Sequence, residues 1–323
     1  MKKDLDYYAR KFAKLNVNRK KGINAPHKPV LLLAVTELIE QKKIQTNQIY
    51  LSPELIATFL KYWSNLVITH HQAKIALPFF HLTGDKFWHL APIMSYEGNL
   101  ASIKPGLSVL RNAVRYAYTD PELFELLQSP ITRLQFANIL MQTWFPHQEI
   151  QLQKLYEVDE FENIQRQLSE QGGAVYQVED LKDEEEMFIR NAAFRRVVVS
   201  LYEQRCVFCK LKVISQDNQN IVDGAHIKPF AEFRDDRFDN GISLCKNHHW
   251  AFDHGWFGID DSYRIVVPDE RFYEETLADT KPIRDFHGER ILMPTQLNYQ
   301  PRLEALRWHC NYWNRHSAGC SGN

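Results

Sequence analysis

The sequence predicts an α+β chain in two parts: a helix-rich N-terminal domain with a short β-hairpin, and a C-terminal domain of short strands and helices around paired cysteines. Three observations predict it. The chain has 323 residues, too many for one ordinary core and enough for about two domains. Hydrophobic residues make up 44% and charged residues 24%, the balance of a folded protein rather than a disordered one. Helical spacing dominates the first 150 residues, whereas residues after Cys206 alternate between short β-branched pieces and one histidine-rich helix.

The elements follow in order. Asn24-Ala25-Pro26-His27-Lys28-Pro29 is a rigid, proline-restricted entry to a buried helix, VLLLAVTELIEQKKI, whose Lys42 and Lys43 suit a helix C-terminus. Ser52-Pro53-Glu54 starts the next helix, with Ser as cap and Pro in the first turn. Residues 75–90, IALPFFHLTGDKFWHL, read as two short strands around a Gly84-Asp85 turn. Asp120-Pro121 and Ser129-Pro130 each open a helix, the second running to about Trp144 before Pro146. A helix is expected over QLQKLYEVDEFENIQRQLSEQ, a solvated helix start at Asp183-Glu184-Glu185-Glu186, another helix at FIRNAAFRRVVVSLYEQ, a strand at YRIVVP and a closing helix at QPRLEALRWHCNYWNRH.

The net charge of −1 hides an asymmetry: residues 1–150 carry 18 basic against 11 acidic residues, residues 151–187 carry 3 against 11, and residues 188–323 carry 18 against 18. This divides the chain into a basic domain (1–150), an acidic helical linker (151–187) and a neutral domain (188–323). A basic block suits a polyanion such as DNA, although an unevenly charged solvated surface gives the same count. No run approaches the ~20 apolar residues of a membrane span, and the N-terminus has no apolar signal region, so a cytoplasmic protein that neither enters a membrane nor is secreted is expected.

Five cysteines are too few for a disulfide scaffold. Cys206 and Cys209 form C-x2-C, and Cys245 and His248 form C-x2-H, 35 residues further on. Two such knuckles can present four ligands to one tetrahedral Zn²⁺, which makes structural zinc the expected cofactor here. Between the knuckles, His226, Asn240 and His249 follow H-x13-N-x8-H, and Asp253 stands four residues after His249, on the same helix face.

The segments CVFC, DGAHIKPF, DNGISLC and KNHHWAFDHGWFGID together resemble the zinc-stapled ββα-metal, or HNH, endonucleases. The resemblance implies that His226 is the general base, Asn240 orients its loop, and His249 ligates a catalytic Mg²⁺ or Mn²⁺. Many relatives place Asp or His directly before the base. Here that residue is Ala225, so Asp253, with Asp223 as a second candidate, is expected to complete the metal site.

In the first domain, APHKPVLLLAVTELI and LPFFHLTGDKFWHL resemble the DNA sulfur-binding domain of bacterial enzymes that restrict phosphorothioate-modified DNA. A phosphorothioate sulfur is large and weakly hydrated, so an apolar dent suits it. The resemblance points to Pro78 and Phe79 for that dent, to His27 and Lys28 for phosphates, and to His81 for base edges. Leu77 stands where the family often has Tyr, and Phe80-His81 where an aromatic-basic pair is usual.

These features imply a modification-dependent restriction endonuclease of bacterial type, acting on double-stranded, phosphorothioated DNA as a homodimer. The rivals are an HNH endonuclease that reads another modification or an unmodified sequence, an inactive zinc-bearing DNA-binding protein, and a C-x2-C redox protein.

Overall fold

The computed structural model describes residues 3–20, 22–98, 100–146, 148, 158–177, 183–215, 219–277 and 279–316. The expected helix residues at 151–157 and the cysteine at 320 lie outside these. The described residues fall into two compact units, residues 1–163 with 183–189, and residues 164–182 with 190–323.

The first unit is built on α2 (His27–Glu40), following α1 (Leu5–Ala13) and a small hairpin of β1 (Arg19–Lys20) and β2 (Ile23–Asn24). Every residue of α2 from Lys28 to Ile39 is buried. A helix buried on every face, with Lys28, Thr36 and Glu37 as its polar exceptions, belongs at the centre of a core. Around it stand α3 (Pro53–Leu66), α4 (Ala76–His81), α5 (Leu107–Ala113), α6 (Pro121–Gln128) and α7 (Pro130–Trp144). Ser52 caps α3 by accepting the Leu55 N–H, and prolines open α3, α6 and α7, where no helical N–H is needed.

The expected hairpin over residues 75–90 does not form. Residues 76–81 are α4, Leu82–Asp85 make a 3₁₀ turn, and only Trp88–Pro92 is a strand, β3. It pairs antiparallel with the distant β4 (Val114–Thr119), from Trp88↔Thr119 to Ala91↔Tyr116, with an irregularity at Pro92. Ile75, Ala76, Phe79 and Leu82 are all buried, which is helical spacing rather than alternation. Asp85 is no loop tip either: its carboxylate accepts from the Asn16 N–H at 2.7 Å and holds the buried Lys28 ammonium at 2.6 Å.

The run at Asp183 is a helix start, with Glu184 and Glu186 exposed as expected and Glu185 buried. Asp183 accepts the N–H groups of Glu185 and Glu186 at the head of a helix that runs from Glu184 to Leu201. Glu185 is buried against Lys74, and Glu184 accepts from Ser108. Of the acidic segment, residues 158–163 and 183–187 group with the first unit and residues 164–177 with the second.

The second unit includes most of α8 (Glu160–Gln171) and of α9 (Glu184–Leu201), then the antiparallel pair β5 (Val222–His226) and β6 (Gly241–Cys245), with the short α10 (Phe230–Phe233) between them. Helix α11 (Lys246–Asp253) follows β6 directly, giving a ββα unit. A second small pair, β7 (Gly258–Ile259) and β8 (Ile265–Val266), and the closing helix α12 (Leu303–His316) complete it.

Two glycines let α9 lie directly on the β5–β6 pair. A Cβ on Gly224 would stand 2.7 Å from the Cα of Arg195 and 2.8 Å from its carbonyl oxygen. One on Gly241 would stand 2.6 Å from Val198 and 2.9 Å from the Phe194 ring. Gly224→Ala is therefore expected to destabilise the second unit by about 1–3 kcal/mol, the usual cost of overpacking, seen as a lower urea midpoint. An unchanged midpoint would mean that the helix does not press on the strand.

Candidate metal centre and catalytic site

Cys206 follows α9 and begins a tight turn in which Lys210 N–H donates to the Cys206 carbonyl, with Lys210 left-handed at φ 61°. This curls Cys206 and Cys209 toward one point. Cys245 is the last residue of β6 and the N-cap of α11, and His248 lies one turn in. The four ligand atoms of Cys206, Cys209, Cys245 and His248 lie within 4.8 Å of one another. His248 Nδ1 is 3.0 Å from Cys245 Sγ and 3.7 Å from Cys206 Sγ. Tetrahedral zinc with bonds of about 2.0–2.3 Å spaces its ligands by roughly 3.3–3.8 Å, so the residues present fit that ion. All four positions are filled by protein, which makes the centre structural. Burial pulls the His248 imidazole down, but the sulfurs of Cys209 and Cys245 outweigh it and its pKa is pushed up to about 9.

The two strands carry the other site at their far end. His226 closes β5 opposite Gly241. Its Nε2 is 2.7 Å from Asp236 Oδ1, and its ring stacks on Phe194 at 4.0 Å and 5°. The fully buried Asn240 ties the intervening loop shut: Oδ1 accepts the Lys228 N–H, and Nδ2 donates to the carbonyls of Lys228 and Asp235.

On α11, His249 has one carboxylate near each ring nitrogen. Asp253 Oδ2 is 3.5 Å from Nε2, and Asp223 Oδ2 is 3.9 Å from Nδ1. Asp223 also receives Arg195 Nη1 at 2.6 Å and Lys246 at 3.4 Å. Burial lowers the His249 pKa and raises that of Asp253, whose carboxyl also feels the charges of His249, Arg195 and His226. Among the described residues, no other His, Cys, Asp and Glu group of three or more has the spacing of the cysteine cluster. Ala225, wholly buried, contributes no ligand.

Three residues of this site were not foreseen from the sequence: Asp236, Arg195 and Phe194. Two stand on α9, some 30 residues before His226, and no spacing rule connects them to it.

In the first unit, a cavity of about 820 Å³ is walled by Leu77, Pro78, His81, His27, His71 and Arg19, among others. Of the residues expected to meet DNA, two are placed otherwise. Phe79 is fully buried, edge-on to Trp88, and belongs to the core. Lys28 reaches the cavity wall, but Asp85 and the Asn16 carbonyl hold its ammonium. His27 bonds the Gln72 carbonyl at 2.9 Å, and burial pushes its pKa down to about 4, so it is neutral at pH 7. Burial, then Lys28, lowers His81 as well. The cation on the wall is Arg19, which the basic run Arg19-Lys20-Lys21 before Gly22 could have signalled.

Residues 206–260 match the HNH endonuclease family, so the chain carries a nuclease domain. Residues 6–158 match the ScoMcrA-like DNA sulfur-binding domain, so the nuclease domain is joined to a unit of a DNA-recognising family. Among solved structures, the chain is similar to a modification-dependent TagI restriction endonuclease (21% identity, 36% of each chain, TM-score 0.27). It is also similar to the Type IV phosphorothioation-dependent restriction endonuclease ScoMcrA (12% identity, 76% of this chain and 94% of that one, TM-score 0.34). The chain spans about a third of the length of the first. No curated protein matches it. No helix among the described residues is long and apolar enough to cross a membrane.

The purified chain is expected to hold one zinc, measured by atomic emission. Cys209→Ser should lose it and lower the thermal midpoint of the second unit. A zinc-free protein with a Cys206–Cys209 disulfide would instead mark a redox centre.

Proposed function

We propose that the protein is a restriction endonuclease that recognises phosphorothioated DNA through its first unit and hydrolyses phosphodiester bonds at His226 and His249. The observation that carries the catalytic part is the pair of imidazoles on a cluster-framed ββα unit, one held by a buried carboxylate and the other between two carboxylates. His226 takes a proton from the attacking water, an imidazole being mostly neutral at pH 7 in its unperturbed state. His249, with Asp253, holds a single Mg²⁺ or Mn²⁺, which when bound supplies charge stabilisation at the phosphate and the departing 3′-oxygen. Arg195 is paired with Asp223 at 2.6 Å and holds that carboxylate beside His249. The products are 5′-phosphate and 3′-hydroxyl ends. Cutting both strands takes two sites, and a homodimer with the symmetry of the duplex supplies them.

Sulfur selectivity rests on the cavity wall. Pro78 and Leu77 offer apolar surface, and the cations and imidazoles nearby are largely compensated or neutral. Such a wall favours a weakly hydrated sulfur over a phosphate oxygen, which a charged donor would hold better. Arg19 then supplies the phosphate contact that sets register. A second reading has one observation in its favour: a cavity of about 820 Å³ has room for more than one sulfur atom, so it can also take a bulkier modification.

Two measurements test these readings. His226→Ala should lower the cleavage rate about 10²–10⁴-fold, with binding retained; unchanged cutting would remove His226 from the chemistry. Matched duplexes with and without a phosphorothioate should differ in binding and cutting, whereas equal cutting would sink the sulfur reading and turn attention to modified bases.

A further inference from the structure

We propose that Asp236 is the positioning residue that fixes the tautomer and orientation of His226, and that the Gly172-Gly173 turn after α8 seats it. This rests on the reading of His226 as general base and adds the group that makes it one.

Asp236 is 1% exposed, and its Oδ1 meets His226 Nε2 at 2.7 Å. Its other oxygen, Oδ2, is buried without a hydrogen-bond partner. The neighbouring Asp235 is committed elsewhere, to Arg237 at 2.8 Å and Arg302 at 2.6 Å. Among the described residues no Lys or Arg pairs with Asp236, and its carboxylate is aimed at the imidazole. An ionised carboxylate can only accept a hydrogen bond. Nε2 must then carry the proton, and Nδ1 is left with the lone pair that a general base needs. Phe194, stacked on one face of the ring, keeps the imidazole from turning away.

The seat of Asp236 comes from residues well before the site. Its N–H donates to the Ala174 carbonyl at 2.7 Å, and the Phe238 N–H donates to that of Gly172. Gly173 has φ +92°, and a Cβ there would run into the Asp236 carbonyl and Arg237. Only glycine allows this approach. The charges around the pair are Arg190, which favours ionised Asp236, Asp235, which opposes it, and Asp253, whose carboxyl feels the His226 charge. Burial raises the Asp236 carboxyl, and His226 works against that rise.

The test compares the wild type, Asp236→Asn and His226→Ala as full chains with zinc retained. Two-bond ¹H–¹⁵N spectra of histidine-labelled protein, taken without Mg²⁺ or Mn²⁺, identify the His226 tautomer, assigned by the signal that His226→Ala removes. The wild type should show Nε2–H. Asp236→Asn keeps the shape but removes the charge, so it should lose that preference and cleave about 10²-fold more slowly, with DNA affinity, zinc content and circular dichroism unchanged. A merely structural role would not move the tautomer. Asp236→Asn that keeps both rate and tautomer, while His226→Ala is inactive, overturns the role of Asp236. His226→Ala that cuts like the wild type overturns the general-base reading instead.

Discussion

The catalytic side of the second unit depends on backbone pressed against backbone. Helix α9 reaches β5 at Gly224 and β6 at Gly241, positions where any side chain would collide. Because the helix comes this close, consecutive residues on it meet the site. Phe194 lies flat on His226, and Arg195 reaches Asp223 at 2.6 Å. The other face of the pair is buried as well, where Ala225 and Ile242 are fully enclosed. A close-packed interior transmits small displacements, so an added methyl at either glycine would move an imidazole and an arginine together.

The cysteine cluster and His226 then sit at opposite ends of one short ladder, with His249 on the helix that leaves the cluster end. Val222 pairs with Cys245 at one end and His226 with Gly241 at the other. Five residues of strand separate these ends by roughly 13–14 Å. The cluster fixes where β6 stops and α11 begins, because Cys245 is both the last strand residue and the N-cap. His248 and His249 are consecutive on that helix, and neighbours in sequence do not share a helical face. One imidazole turns to the sulfurs and the next to Asp223 and Asp253. A metal at the cluster would thus set the rotation of α11, and with it the direction of His249, without touching the reaction.

Sequence spacing made the local part of this legible. The two knuckles, the His-Asn-His order, the i,i+4 partnership of His249 with Asp253 and the Ser52 cap are all short-range patterns, and each takes shape as spacing implies. What spacing could not carry was contact between distant segments. Asp236 lies among four carboxylates between residues 232 and 239, and nothing in the sequence distinguishes the one that faces an imidazole. Phe194 and Arg195 read as ordinary residues of the helix expected over FIRNAAFRRVVVSLYEQ. The aromatic run at 75–90 misled for a related reason: β-branched and aromatic content suggested strands, while burial follows a helical period and β3 finds its partner 26 residues on, at Val114–Thr119. Lys28 looked like a phosphate contact because its partner, Asp85, is 57 residues away.

The two units treat charge in opposite ways, and the chemistry explains why. In the first unit, charges at the cavity are largely cancelled: Lys28 by Asp85, His27 by burial. A neutral wall gives up affinity for any phosphate, since counterion release drives non-specific binding, and leaves contact surface and polarisability to discriminate. In the second unit, charges are held near one another without complete pairing. Asp236 keeps one buried oxygen without a partner, and Asp253 faces His249 at 3.5 Å rather than at hydrogen-bond distance. Unfinished pairing of this kind costs stability, because buried polar groups without partners are expensive. It is also the state from which a proton can be taken or a cation admitted with little reorganisation. A recognition surface gains from compensated charge, and a hydrolytic centre from charge that awaits its substrate.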